Sequence, residues 1–399
     1  MSGSPAGAPL LGAEPAFPDG IAFARPPAPP LARVVARLTP SYDAGILTNG
    51  PLVRELEAAV AERLGVAHAL ALSSCTAGLM LALRAVGLGR PGGDRRPVVV
   101  PSFTFSATAH AVAWNGHDPR FAECEAGSFQ LDCADAAARL DGVGGLVATH
   151  VFGAPCAAER VETLGREAGI PVVFDAAHAF GAKRGARPVG GFGDAEVFSL
   201  SPTKPMTAAE GGLVTTDRDD IAAAVRIGRD YGNPGDYDTR FPGLNARMSE
   251  LHAAVALESL VELDAHLDTR RSLANRYADG LEDVPGIEVQ HVDAGDDSTW
   301  KDLTIAVDGD AYGMHRDTLV ALLRAEGVDT RNYFDPPVHR QRAYRHLGDE
   351  SPEGSLPVTE RVAASVVSIP LYRELGERTI DRIVELLTVA HAQADRIRG

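Results

Sequence analysis

Lys204 follows the run Ser199-Leu200-Ser201-Pro202-Thr203 and precedes Glu210-Gly211-Gly212, and it is one of only three lysines in 399 residues. An amine placed after an apolar strand, among small and hydroxyl side chains, suits a lysine that carries an aldehyde as a Schiff base and moves protons as a general base. Pro205 disfavours a helix at Lys204, so an extended loop is expected there. Lys183, in Ala182-Lys183-Arg184-Gly185, reads as a solvated turn charge. Lys301 follows Trp300, a place from which it could touch a ligand. Upstream, Val172-Val173-Phe174-Asp175 reads as a buried strand ending on a carboxylate. That is the end at which open α/β sheets bind ligands. The alternative for Asp175 is a helix cap. Together the amine and the carboxylate point to pyridoxal 5'-phosphate as cofactor: one holds the aldehyde, the other keeps the pyridine nitrogen protonated so that the ring accepts electrons.

Further residues would complete such a site. Ser74, Cys75 and Thr76 link a strand to a helix, where free N–H groups and hydroxyls make an anion site; the cofactor phosphate is expected there, with help from Ser199. Phe105 is expected to lie flat on the ring, with Phe103 as the alternative. His178 is expected to hydrogen-bond the cofactor's phenolic oxygen, and a satisfied histidine of a helix turn is its competing reading. The polar segment Tyr231–Arg240 carries turn residues and two tyrosines. Loops of that kind often hold ligand contacts, so Arg240 is expected near a substrate phosphate, against the plainer reading of a solvated connection.

The elements that must position these groups alternate. Apolar runs at 68–72, 97–100, 145–149, 171–175, 195–200 and 212–216 read as strands. Helical periodicity at 52–65, 77–86, 108–114 and 158–168 falls between them. Short apolar strands separated by helices imply a mostly parallel sheet covered on both faces. A long helix is expected over 249–281, running out of the large domain. Strand and helix alternate again to the C-terminus as a smaller α/β lobe. The expected domains are a Pro/Ala-rich arm at 1–30, loosely packed or mobile, a large cofactor-binding domain at 31–265 and a small domain at 266–399.

The formal net charge is −16, which disfavours nucleic-acid and anionic-membrane partners. The four cysteines show no metal or disulfide spacing, so no metal is expected and a reducing cytoplasm is. No apolar run is long enough to cross a membrane.

As a set, the motifs identify a resemblance. Thr48-Asn49-Gly50-Pro51, the Thr76-Ala77 turn, Pro101-Ser102-Phe103-Thr104-Phe105, His150-Val151-Phe152-Gly153, Asp175-Ala176-Ala177-His178, the Lys204 segment, Gly243-Leu244-Asn245-Ala246-Arg247-Met248-Ser249-Glu250 and Ser368-Ile369-Pro370-Leu371 resemble the DegT/DnrJ/EryC1/StrS family over about residues 45–375. The resemblance implies the pyridoxal-phosphate fold type I and a homodimer with shared active sites. It implies that Asn245 reaches the partner's cofactor phosphate. Glutamate or glutamine is the implied amino donor and a keto group on a nucleotide-linked sugar the implied acceptor. The stretch from Arg331 through Tyr333 to His339 would line the sugar site. Arg247 is a candidate for the donor carboxylate. Ser74-Cys75, His178 and Phe174 stand where the family often has Asn-Gly, glutamine and glutamate. The expected activity is an aminotransferase on a nucleotide-linked deoxy sugar, most specifically a TDP-4-keto-6-deoxyhexose. The rivals are a keto-cyclitol aminotransferase, a related dehydratase, which Lys204 argues against, and a non-catalytic sensor, which the absence of a basic DNA-binding module argues against.

Overall fold

A computed structural model describes residues 10, 14–89, 93–347 and 356–398. The large sheet has seven strands: β1 (His68–Leu72), β2 (Val98–Pro101), β3 (Pro119–Ala122), β4 (Gly145–Thr149), β5 (Val172–Asp175), β6 (Ala195–Ser199) and β7 (Gly212–Thr216). Their order is β1-β7-β6-β5-β4-β2-β3. The run from β6 through β5, β4 and β2 to β3 is parallel, and β7 is antiparallel to both β6 and β1. Parallel neighbours need a crossover, and helices supply it; β6 and β7 are joined instead by the loop that carries Lys204. Successive residues of the buried strands face opposite sides of the sheet. Val172 and Phe174 enter one apolar cluster and Val173 the other, and Leu146 and Ala148 oppose Val147 in the same way. Both faces are therefore covered, which explains why the strands read as continuous apolar runs.

The small sheet is antiparallel: β8 (Ile287–Val289), β9 (Leu303–Val307) and β10 (Val366–Ile369) pair in that order. The helices Arg316–Ala325 and Glu377–Ala392 contribute to its core. The helix Glu250–Leu281 serves both cores, Ala253 to Leu267 in the large one and Leu273 to Leu281 in the small one. Ser249 caps it by accepting from the His252 N–H.

Buried Glu250 ties this helix to a distant loop. Its carboxylate accepts from the N–H groups of Gly50 (2.9 Å), Leu52 (2.9 Å) and Val53 (3.1 Å) and from the Ser41 hydroxyl (3.0 Å). Those amides open the helix Pro51–Leu64, so the charge sits at a favourable helix end. Glycine is needed at position 50, because a Cβ there would meet the Glu250 carboxyl at 2.8 Å.

The described part of the N-terminal arm differs from the loosely packed segment expected. Phe17 N and Ile21 N donate to the carbonyls of Glu326 and Gly327, and Asp329 N donates back to Ile21. Phe23 is buried and meets the Tyr333 ring edge-on. Apolar side chains spaced among the prolines make this docking possible.

Candidate active site

The parallel strands end in one cavity of about 300 Å³. Lys204, Asp175, His178, Ser74, Cys75, Thr76, Phe105, Ser199 and Tyr333 all line it. Residues from five separate segments of sequence thus converge at the carboxyl edge of the sheet, as the topology of open α/β sheets favours.

The Lys204 loop is held at both ends and from behind. Leu200 N donates to the Gly211 carbonyl (2.9 Å) and Ala208 N to the Leu200 carbonyl (2.8 Å). From the long helix, Ser259 Oγ accepts from Thr207 N (3.0 Å), and His266 Nδ1 donates to the Pro205 carbonyl (3.0 Å). The lysine projects from a non-helical segment, as Pro205 requires. Burial pulls its pKa from the ordinary 10.5 to about 7, with the Lys301 ammonium acting in the same direction and Asp302, Cys75 and Asp175 opposing. A large share of the amine is therefore neutral, and nucleophilic, near neutral pH.

Asp175 Oδ2 accepts from Thr108 Oγ1 (2.7 Å) and Oδ1 from Ala177 N (3.1 Å). Both partners are neutral, and among the described residues no cation pairs with this buried carboxylate. Burial raises its pKa, while the two hydrogen bonds pull the other way. A buried carboxylate lacking a cation fits a group that brings its own positive charge.

His178 Nδ1 accepts from Phe152 N (3.2 Å), which leaves the proton on Nε2. Burial, then the cations of Lys204 and Lys301, push its pKa well below the ordinary value, so the ring is a neutral donor. Phe105 is 60% exposed and lines the cavity, whereas Phe103 is buried among Phe129, Phe152 and Phe334. Phe103 is thus core, and the flat surface offered to a ring is Phe105.

The helix Cys75–Ala85 starts at the cavity. Ser74 caps it by accepting from Ala77 N (3.2 Å), so the amides of Cys75 and Thr76 remain outside the helix's own bonding. Gly212 makes this cradle possible, since a Cβ there would lie 2.5 Å from the Cys75 nitrogen. Gly212→Ala must push the helix start away, a change costing about 1–3 kcal/mol. Pyridoxal-phosphate affinity is expected to fall about tenfold or more, read by equilibrium titration of the apoprotein.

Three of the expected site residues lie outside this chain's own cavity, one of them Asn245, whose expected place is the partner's cofactor phosphate. His339 does not line the cavity. Its buried ring is fixed between Ser102 Oγ (2.6 Å) and Glu360 (3.1 Å), which makes it part of the packing behind the site. Arg240 sits on an exposed loop, paired with Asp236 (2.5 Å) and Asp238. Exposed Asn245 accepts from Arg247 (3.2 Å), which also pairs with Asp230. Neither Arg240 nor Asn245 reaches its own chain's cavity.

Among the charged residues that line the cavity, Asp302 and Glu210 received no role from the sequence, and Lys301 received only a suggestion of ligand contact. The scarcity of lysine was the available signal for Lys301. Nothing in the sequence marked Asp302.

The comparisons agree with this geometry. A family model described as the DegT/DnrJ/EryC1/StrS aminotransferase family matches residues 32–388. The chain belongs to that family. The structure of DesI, determined with its TDP-sugar product, is similar at 37% identity and TM-score 0.89, over 98% of this chain and 97% of that one. DesV of S. venezuelae, solved with a ketimine intermediate, gives 30% and 0.83, over 92% and 99%. A family member from Brucella abortus gives 30% and 0.82, over 90% and 96%. The protein is a pyridoxal-phosphate-dependent sugar aminotransferase of fold type I. Among the described residues, no helix is long and apolar enough to cross a membrane.

Proposed function

We propose that the protein moves an amino group from glutamate, or glutamine, to the ketone of a nucleotide-linked deoxy sugar, most specifically a TDP-4-keto-6-deoxyhexose. The observation that carries this reading is the convergence on one cavity of a lysine with a pKa near 7, a buried carboxylate without an ion-pair partner among the described residues, and a helix N-terminus. The likeness to DesI, whose structure holds a TDP-sugar product, supports the acceptor class.

The residues present fit pyridoxal phosphate. Lys204 would hold its aldehyde, Asp175 its ring nitrogen, and the Cys75 and Thr76 amides with the Ser74 and Ser199 hydroxyls its phosphate. The bound group supplies an electron sink for the carbon that loses its proton. The chain does the rest. Lys204 Nζ, when free of the aldehyde, would be the base that takes a proton from the donor carbon and returns it. Asp175, held in line by Thr108, would keep a positive charge at the ring nitrogen. His178 Nε2–H supplies a donor that stays neutral and so does not compete for protons with Lys204. Phe105 would offer one face of the ring a flat apolar surface.

The exposed positions of Asn245 and Arg240 are consistent with a second copy of the chain completing the site. In that assembly Asn245 would serve the partner's phosphate region. The test of the whole reading is a two-substrate incubation with glutamate and TDP-4-keto-6-deoxyglucose. The expected result is equimolar 2-oxoglutarate and a TDP-amino sugar by mass. A keto acid formed only stoichiometrically with enzyme, with no aminated sugar, refutes the acceptor assignment.

A further inference from the structure

Behind Lys204 the cavity wall carries a second pair of charges. Lys301 and Asp302 leave the strained backbone at Trp300 (φ 48°) and enter β9. Both are buried, with side chains 6% and 2% exposed, and both line the cavity. Lys301 Nζ donates to Asp302 Oδ1 at 2.6 Å. Asp302 Oδ2, equally buried, has no hydrogen-bond partner among the described residues. A buried carboxylate oxygen without a donor is costly, and the cost is removed when a ligand supplies one.

The backbone that carries the pair is also held from the long helix. Arg270, buried on the long helix, donates to the carbonyls of Trp300, Lys301 and Leu371. Its guanidinium thus fixes the backbone that presents Lys301 and Asp302 to the cavity. A fixed acceptor beside a reacting centre is the arrangement that selects for a hydroxyl.

Of the two substrates in the proposed reaction, the sugar brings hydroxyls and the donor amino acid brings carboxylates, which Asp302 would repel. We propose that Asp302 is a specificity residue for the acceptor, its free oxygen taking a hydrogen bond from the sugar hydroxyl on the carbon next to the ketone. Lys301 occupies Oδ1 and so holds the carboxylate in the orientation that leaves Oδ2 for the ligand. This rests on the sugar-aminotransferase reading and adds the feature of the sugar that is selected. In a 4-keto hexose the hydroxyl in question is on C3.

The test is equilibrium binding by calorimetry to the full-length protein loaded with pyridoxamine phosphate. The probes are TDP-6-deoxyglucose, its 3-deoxy counterpart and TDP alone. Wild type is expected to bind the 3-hydroxylated sugar about tenfold or more tightly than the 3-deoxy one, the size of a hydrogen bond to a charged acceptor. Asp302→Asn is expected to bring the two within about twofold and leave TDP affinity unchanged. A wild type without preference overturns the proposal before any variant is made. A variant that keeps the preference overturns it too. Failure of wild type to bind TDP or either sugar contradicts the nucleotide-sugar reading itself, and is thereby distinguishable from failure of the Asp302 assignment.

Discussion

Lys204→Ala is expected to lower kcat by at least about 10⁴-fold, because one substitution removes both the covalent anchor and the general base. The purified variant should keep its fold by circular dichroism and lack the visible absorption band of the loaded wild type. The pH dependence of loading gives a sharper test. The amine reacts in its neutral form, and its pKa lies near 7 in place of 10.5. The rate of cofactor attachment should therefore rise between about pH 6 and 8 and level off above. An ordinary lysine would still be gaining rate at pH 9. Since the Lys301 cation is one of the groups holding this pKa down, Lys301→Met should move the midpoint upward. A downward or absent shift, read by stopped-flow absorbance, would contradict the electrostatic account of the site.

Asp175→Asn should lower kcat by roughly 10²–10³-fold, the scale on which a fixed charge stabilises a developing one. The folded pKa of Asp175 lies above its unfolded value. Its ionised form therefore costs the apoprotein stability at neutral pH, and the cost falls away as pH drops through the raised value. The neutral amide should leave the apoprotein's Tm unchanged or higher while weakening cofactor binding. Calorimetric scans of apo and loaded forms separate these effects. A variant destabilised in both forms alike would make Asp175 a structural cap and nothing more.

Much of this site was legible in the sequence because its parts lie at the ends of apolar strands. Asp175 closes a run of valines, and Lys204 lies between two such runs, so position along a strand was enough to place each at the sheet's carboxyl edge. Ser74-Cys75-Thr76 were legible for the same reason, at a strand-to-helix joint. The helix expected over 249–281 is observed at Glu250–Leu281, starting one residue later.

What escaped depends on contacts between distant segments. Glu250 caps a helix that begins 199 residues earlier in the chain, with |i−j| of 198 to its Leu52 bond, and local periodicity carries no trace of that. Asp302 looks like a surface residue until Arg270 is seen fixing the backbone on which it sits. His339 sits in the stretch taken to line the sugar site, but its ring is consumed by Ser102 and Glu360. The arm's docking depends on Phe17, Ile21 and Phe23 meeting the small domain, and its proline content masked those anchors. The strands β3 and β10 lack the unbroken apolar run that marked β2 and β5, since Arg120 interrupts one and Ser368 the other.

The most direct measurement is a single turnover in two steps. The protein is loaded with pyridoxal phosphate, glutamate is added, and the visible band is followed; TDP-4-keto-6-deoxyglucose is then added. The account predicts loss of the band with glutamate and its return with the keto sugar, each at one equivalent per site. A band that persists with both glutamate and glutamine contradicts transamination by this site. Loss without return contradicts the assignment of a TDP-4-keto-6-deoxy sugar as the acceptor.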